Sequence, residues 1–109
     1  MPKRSLKSVA ALVAGMCIVT GAALPATAAG NAASGRQIAE RWCTGCHLVG
    51  DDQKSASTDV PSFFDIARRS KGDIDRLGGF LANPHPPMPN LNLTHAEIDD
   101  LLAYIGSLK

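Results

Sequence analysis

The five residues Cys43-Thr44-Gly45-Cys46-His47 constrain this chain more than any other feature of it. Two cysteines three apart, with a histidine directly after the second, suit three chemistries: a dithiol redox pair, a zinc site, or covalent attachment of haem. Each chemistry asks for different surroundings. A thioredoxin-like dithiol site belongs at a strand-to-helix junction in a βαβ pattern. Zinc needs two further ligands at a finger-like spacing. Haem attachment needs only the motif itself: two thiols spaced to reach vinyl groups on neighbouring edges of the porphyrin, and a histidine held beneath the iron.

The surrounding chain reads as helices, with no convincing strand. In "LTHAEIDDLLAYIGSLK" the residues Ile98, Leu101, Leu102, Ile105 and Leu108 recur at helical spacing and form one apolar stripe. Thr94 followed by Glu97 is a capping box that starts this helix. A second helix is expected over about 33–44, with Ile38, Ala39 and Trp42 on one side. "PSFFDIARR" gives a short helix capped by Ser62, with Asp65 in its first turn. "GDIDRLGGFLANP" gives another, capped by Asp73 and ended by Asn83-Pro84. A polar loop, "GDDQKSAST", and a proline-rich one, "NPHPPMPN", connect them. The expected fold class is all-α, about four helices.

With no strand, the dithiol reading loses its structural context. Zinc has only His85 and His95 to add to Cys43, Cys46 and His47, and their ten-residue separation matches no common finger. Haem c remains. One covalently attached group is expected, joined through Cys43 and Cys46, with His47 as an axial ligand of the iron.

The N-terminus points to export. Lys3, Arg4 and Lys7 precede an apolar run over residues 9–24, broken only by Gly15, Thr20 and Gly21, and Ala26-Thr27-Ala28 offers a small-x-small cleavage pattern. Sixteen residues with two glycines are short against the about 20 that span a bilayer, which disfavours an uncleaved anchor. Bulky Met16 before Cys17 disfavours a lipoprotein. Residues 1–28 are therefore expected to be a secretory signal peptide and residues 29–109 one domain, located in the periplasm. Three of the eleven basic residues leave with the signal and none of the ten acidic ones, so the balance moves from +1 to eight against ten, a net of −2. That charge argues against nucleic acid as a partner, because phosphate binding needs a basic patch.

Size adds a demand. A domain of 81 residues normally needs a staple beyond its own core. Its only aromatics are Trp42, Phe63, Phe64, Phe80 and Tyr104. A Cys43–Cys46 disulfide would close a tiny loop and constrain the unfolded chain little. A large flat apolar disc, by contrast, supplies hydrophobic surface that the side chains lack.

The second axial ligand is expected from the proline-rich loop. Met88 is the only methionine outside the signal and lies between Pro87 and Pro89, 41 residues beyond His47. Flanking prolines stiffen the backbone, so a thioether there is aimed at little ordering cost. His85 is the competitor, and His95 falls on the surface of the last helix.

These motifs together resemble the class I cytochromes c, in the small bacterial periplasmic form, over essentially all of residues 29–109. The resemblance implies the cytochrome c fold, with first and last helices crossing around one haem. It makes Cys43, Cys46 and His47 the family's attachment site and proximal ligand, and Met88 in "PPMP" its distal ligand. Pro61 falls where a family proline offers its carbonyl to the outer nitrogen of the proximal imidazole. Gly35 matches a small residue at the helix crossing, and Leu101 and Tyr104 match positions that pack into it. The family often has an aromatic residue four positions before the first cysteine, where this chain has Ala39. Trp42 is left either in the core or over the haem edge. A dense lysine ring is missing, and Arg68, Arg69, Lys71 and Arg76 are interleaved with Asp65, Asp73 and Asp75, which reads as an ordinary solvated face.

The function implied is an electron carrier rather than an enzyme. It would dock transiently with redox partners, a donor dehydrogenase or quinol-oxidising complex and a terminal acceptor, most simply as a monomer with no stable membrane insertion. The alternatives are a haem subunit of a larger oxidoreductase and a gas-binding or sensing protein with a labile distal ligand.

Overall fold

A computed structural model describes residue 21, residues 29–84 and residues 86–108. Apart from Gly21, the expected signal segment lies outside these residues, as does His85. Four helices follow in order: α1 (Ala32–Trp42), α2 (Phe63–Arg69), α3 (Ile74–Ala82) and α4 (His95–Ser107). There is no strand among the described residues, so the all-α expectation holds.

Local chemistry sets each helix start. Asn31 caps α1, its side chain accepting from the Ser34 N–H at 3.0 Å. That cap opens α1 one residue earlier than its periodicity suggests. Ser62 accepts from the Asp65 N–H at 3.1 Å and Asp73 from the Arg76 N–H at 3.3 Å. At α4 the box is reciprocal: Thr94 Oγ1 accepts from the Glu97 N–H at 3.2 Å, while a Glu97 carboxylate oxygen accepts from the Thr94 N–H at 2.8 Å.

The packing is organised on α4, which touches each of the other three helices, α1 most extensively. Gly35 and Ala39 are one helical turn apart, both buried, and Ala39 has 0% exposure. With so little side chain on that face, the α1 backbone approaches α4 closely. Leu101, Ile105 and Tyr104 fill the junction together with Val49, Phe63 and Ala67. Ala39, four positions before Cys43, is thus part of the close crossing. Leu102, on the expected apolar stripe, is only half-buried and lies beside Gly78 of α3. Trp42 is 58% exposed and does not belong to the core. Helix α3 buries none of its residues, although Leu77 and Leu81 rest against the core.

Candidate functional site

After Trp42 the chain leaves α1 in a tight turn. The Cys43 N–H still donates to the Ala39 carbonyl at 2.8 Å, and the Cys43 carbonyl accepts from both Cys46 (3.2 Å) and His47 (2.9 Å). This places both thiols and the imidazole on one short loop at the helix end. Neither cysteine is in a disulfide, so the bridge weighed from sequence is not formed. Cys43 is half-buried and Cys46 exposed. Burial pushes the Cys43 thiol up to about 11, so it stays protonated at neutral pH.

The imidazole of His47 is held through one ring nitrogen. Its Nδ1 lies 2.6 Å from the Pro61 carbonyl oxygen. A carbonyl can only accept, so Nδ1 is the donor, and in the neutral ring Nε2 then holds the lone pair. The contact fixes both the tautomer and the ring plane, as an outer partner does for a metal-ligating histidine. Phe63 packs beside it, ring centroids 5.6 Å apart, and Phe63 in turn packs on Tyr104 at 6.3 Å. The sequence reading gave Phe63 no part in the site, since a phenylalanine at a helix start carries no positional signal.

The segment after His47 is tied to the rest of the fold. Phe63 N–H donates to the Leu48 carbonyl at 2.9 Å and the Tyr104 hydroxyl to the Val49 carbonyl at 2.5 Å. "VPSFF" therefore grips the site twice, through Pro61 on the ring and Phe63 on the backbone. Tyr104, expected at the helix crossing, also reaches across to anchor this loop.

Met88 is half-buried in the loop between α3 and α4, next to a cis Pro86–Pro87 bond. The loop leads through an Asn92 with φ of 51°, whose N–H donates to the Asn90 side chain at 2.9 Å, into the α4 cap. His95 is exposed at the first position of α4. Among the described residues, no three His, Cys, Asp or Glu side chains converge to hold a metal ion. In the basic cluster, Arg68 is engaged by Asp65.

A family model described as cytochrome c matches residues 32–109. The chain is 43% identical over 97 residues to "Cytochrome c-552" of Bradyrhizobium diazoefficiens, covering 87% of this chain and 93% of that protein. No solved structure is a significant match.

Proposed function

The chain belongs to the cytochrome c family and carries covalent haem c as a haem-based electron carrier; from that premise we propose that Cys43 and Cys46 hold the haem through two thioethers, with His47 and Met88 as the axial ligands. The observation that carries this reading is the 2.6 Å contact between His47 Nδ1 and the Pro61 carbonyl, beside two free thiols. The donor set suits the group. A protonated Nδ1 leaves Nε2 as the nitrogen with a lone pair to give, and unbridged thiols are the form that adds to vinyl groups. Leu77 and Leu81 of α3, only partly covered, offer apolar surface to a flat partner.

Haem c supplies a one-electron couple, iron passing between ferric and ferrous. Cys43 and Cys46 would each hold the group through one carbon–sulfur bond, the thiol hydrogen going to the neighbouring vinyl carbon, so attachment would need no oxidant. The Pro61 carbonyl would hold His47 in one tautomer and orientation beneath the group. The thioether of Met88 as a ligand would favour the ferrous state and raise the potential relative to two nitrogen ligands. Two protein ligands leave no open position for substrate, which favours a carrier over an enzyme.

Redox partners follow from electron transfer. We place the carrier in the periplasm, between a donor dehydrogenase or quinol-oxidising complex and a terminal acceptor, in weak and brief contacts. Residues 1–28 act as a signal cleaved after Ala28. The packed domain starts directly beyond that point, where the Asn31 N–H donates to Asp100 at 2.6 Å. Among the described residues no helix is long and apolar enough to cross a membrane.

Mass spectrometry of the exported protein after acid denaturation tests this assignment. The reading requires residues 29–109 plus one haem, retained through denaturation. Haem extracted by acidified solvent would contradict thioether attachment, and an intact N-terminus would contradict cleavage.

A further inference from the structure

The polar loop after His47 contains a side chain that the sequence reading passed over. Gln53 is half-buried and turns back into the loop. Its Oε1 accepts from the Val49 N–H at 2.9 Å. Its Nε2 donates to the carbonyls of His47 at 2.9 Å and Ser55 at 2.7 Å, with Thr44 sharing a hydrogen at 3.3 Å. An N–H on one side and three carbonyls on the other leave no doubt which way the carboxamide faces. Two of the bound groups, Thr44 and His47, belong to the five-residue motif itself.

We propose that Gln53 is a positioning residue for the haem site, holding the Thr44–His47–Val49 backbone in the turn that presents the two thiols and the imidazole; this rests on the axial and thioether assignments above. Four other carbonyls of the segment have donors of their own. Cys43 is served within the turn, Cys46 by the Ser57 N–H at 3.2 Å, Leu48 by Phe63 and Val49 by Tyr104. Those tethers secure the end of the segment. Among the described residues, Gln53 alone serves the carbonyls of Thr44 and His47, so it fixes the backbone of the residue whose ring Pro61 holds. His47 is thereby gripped at both ends, and loss of the backbone grip lets its ring plane turn about the Pro61 contact.

The chemistry is specific to glutamine. Glutamate has no hydrogen for three carbonyls, lysine has no acceptor for the Val49 N–H, and asparagine is one methylene short. Glutamine alone combines an acceptor, two donors and this reach.

The test uses the haem-loaded protein and two variants, Gln53→Ala and Gln53→Glu, with Thr94→Ala, which breaks the distant α4 capping box, as a destabilised control. Amide exchange at Val49 is expected to quicken about tenfold beyond its change in Thr94→Ala. The paramagnetically shifted haem-methyl resonances of the oxidised protein, which report the axial ring planes, are expected to redistribute in both Gln53 variants and stay fixed in the control. Gln53→Glu should not rescue. Val49 exchange and methyl shifts matching the control would overturn the proposal. Should both variants fail to accumulate, the side-chain NH2 of Gln53 in the unmutated protein decides: protected, inequivalent protons support the latch, and exchange at the rate of a free glutamine contradicts it. Failure of the haem assignment itself is separate, because the unmutated protein would then release haem to acidified solvent or lack the sulfur-to-ferric-iron band, while Val49 exchange still reads the latch.

Discussion

Gly35 of α1 lies so close to Asp100 of α4 that a Cβ at position 35 would stand 2.0 Å from the Asp100 carbonyl oxygen and 2.9 Å from Tyr104 Cβ. The obstacle is backbone, which cannot rotate away as a side-chain tip can. Gly35→Ala must therefore push the two helices apart. We expect a loss of about 3 kcal/mol, read as a lower urea midpoint of the loaded protein. An unchanged midpoint would show that the crossing tolerates a side chain.

Tyr104→Phe keeps the ring that packs on Phe63 and removes only the hydroxyl bound to the Val49 carbonyl at 2.5 Å. A buried acceptor losing its partner costs about 1–2 kcal/mol. Chemical denaturation measures it, and a neutral result would mean that water replaces the hydroxyl.

Helix α3 buries no residue of its own, and the core it leans on is small. The chain therefore lacks the apolar contacts to hold α3 without the haem. A Cys43→Ala, Cys46→Ala variant is expected to be largely unfolded by circular dichroism; near-native helix content would refute this.

Two carboxylates at helix starts make stability sensitive to acid. Hydrogen bonds from the Thr94 backbone and side chain lower the Glu97 carboxyl below its ordinary range. A hydrogen bond from Ser62, aided by Arg68, does the same for Asp65. A depressed folded-state pKa gives stability that is present above the unfolded value and lost as pH falls through the folded one. The urea midpoint should thus fall between about pH 5 and pH 3. Glu97→Gln, which removes one of the titrating groups, should show a shallower fall, and an equal slope would exclude Glu97 as a contributor.

What was legible in the sequence was what periodic or local chemistry writes directly. Thr94 and Glu97 marked the start of α4 because both halves of the box lie within one turn. Ser62 and Asp73 marked α2 and α3 in the same way. Gly35 was placed at the crossing through the family resemblance, not through its surroundings in the chain. Asn31 escaped notice because the residues after it are small and carry no apolar stripe. Gln53 was hidden for a different reason. Three of its partners are backbone atoms four to nine residues earlier and the fourth is the Ser55 carbonyl two residues later, and no spacing rule distinguishes a glutamine folded inward from one in water. Arg36 was also missed; it pairs with Glu40 at 2.6 Å on its own helix and with Asp52 at 3.1 Å across the loop. The former pair follows helical spacing, whereas the latter depends on the path of the loop. The place of Trp42 needed the three-dimensional fold, since its helical position alone suits either core or surface.

The most direct test of the central claim, a haem closed by His47 and Met88, is the absorption spectrum of the purified protein, oxidised and reduced, without and then with carbon monoxide. The account predicts a thioether-linked haem spectrum, a sulfur-to-ferric-iron charge-transfer band that disappears in Met88→Ala, and no response of the unmutated ferrous protein to carbon monoxide. Absence of that band, or a rapid shift on adding carbon monoxide, would contradict Met88 ligation and point to an open or labile distal site.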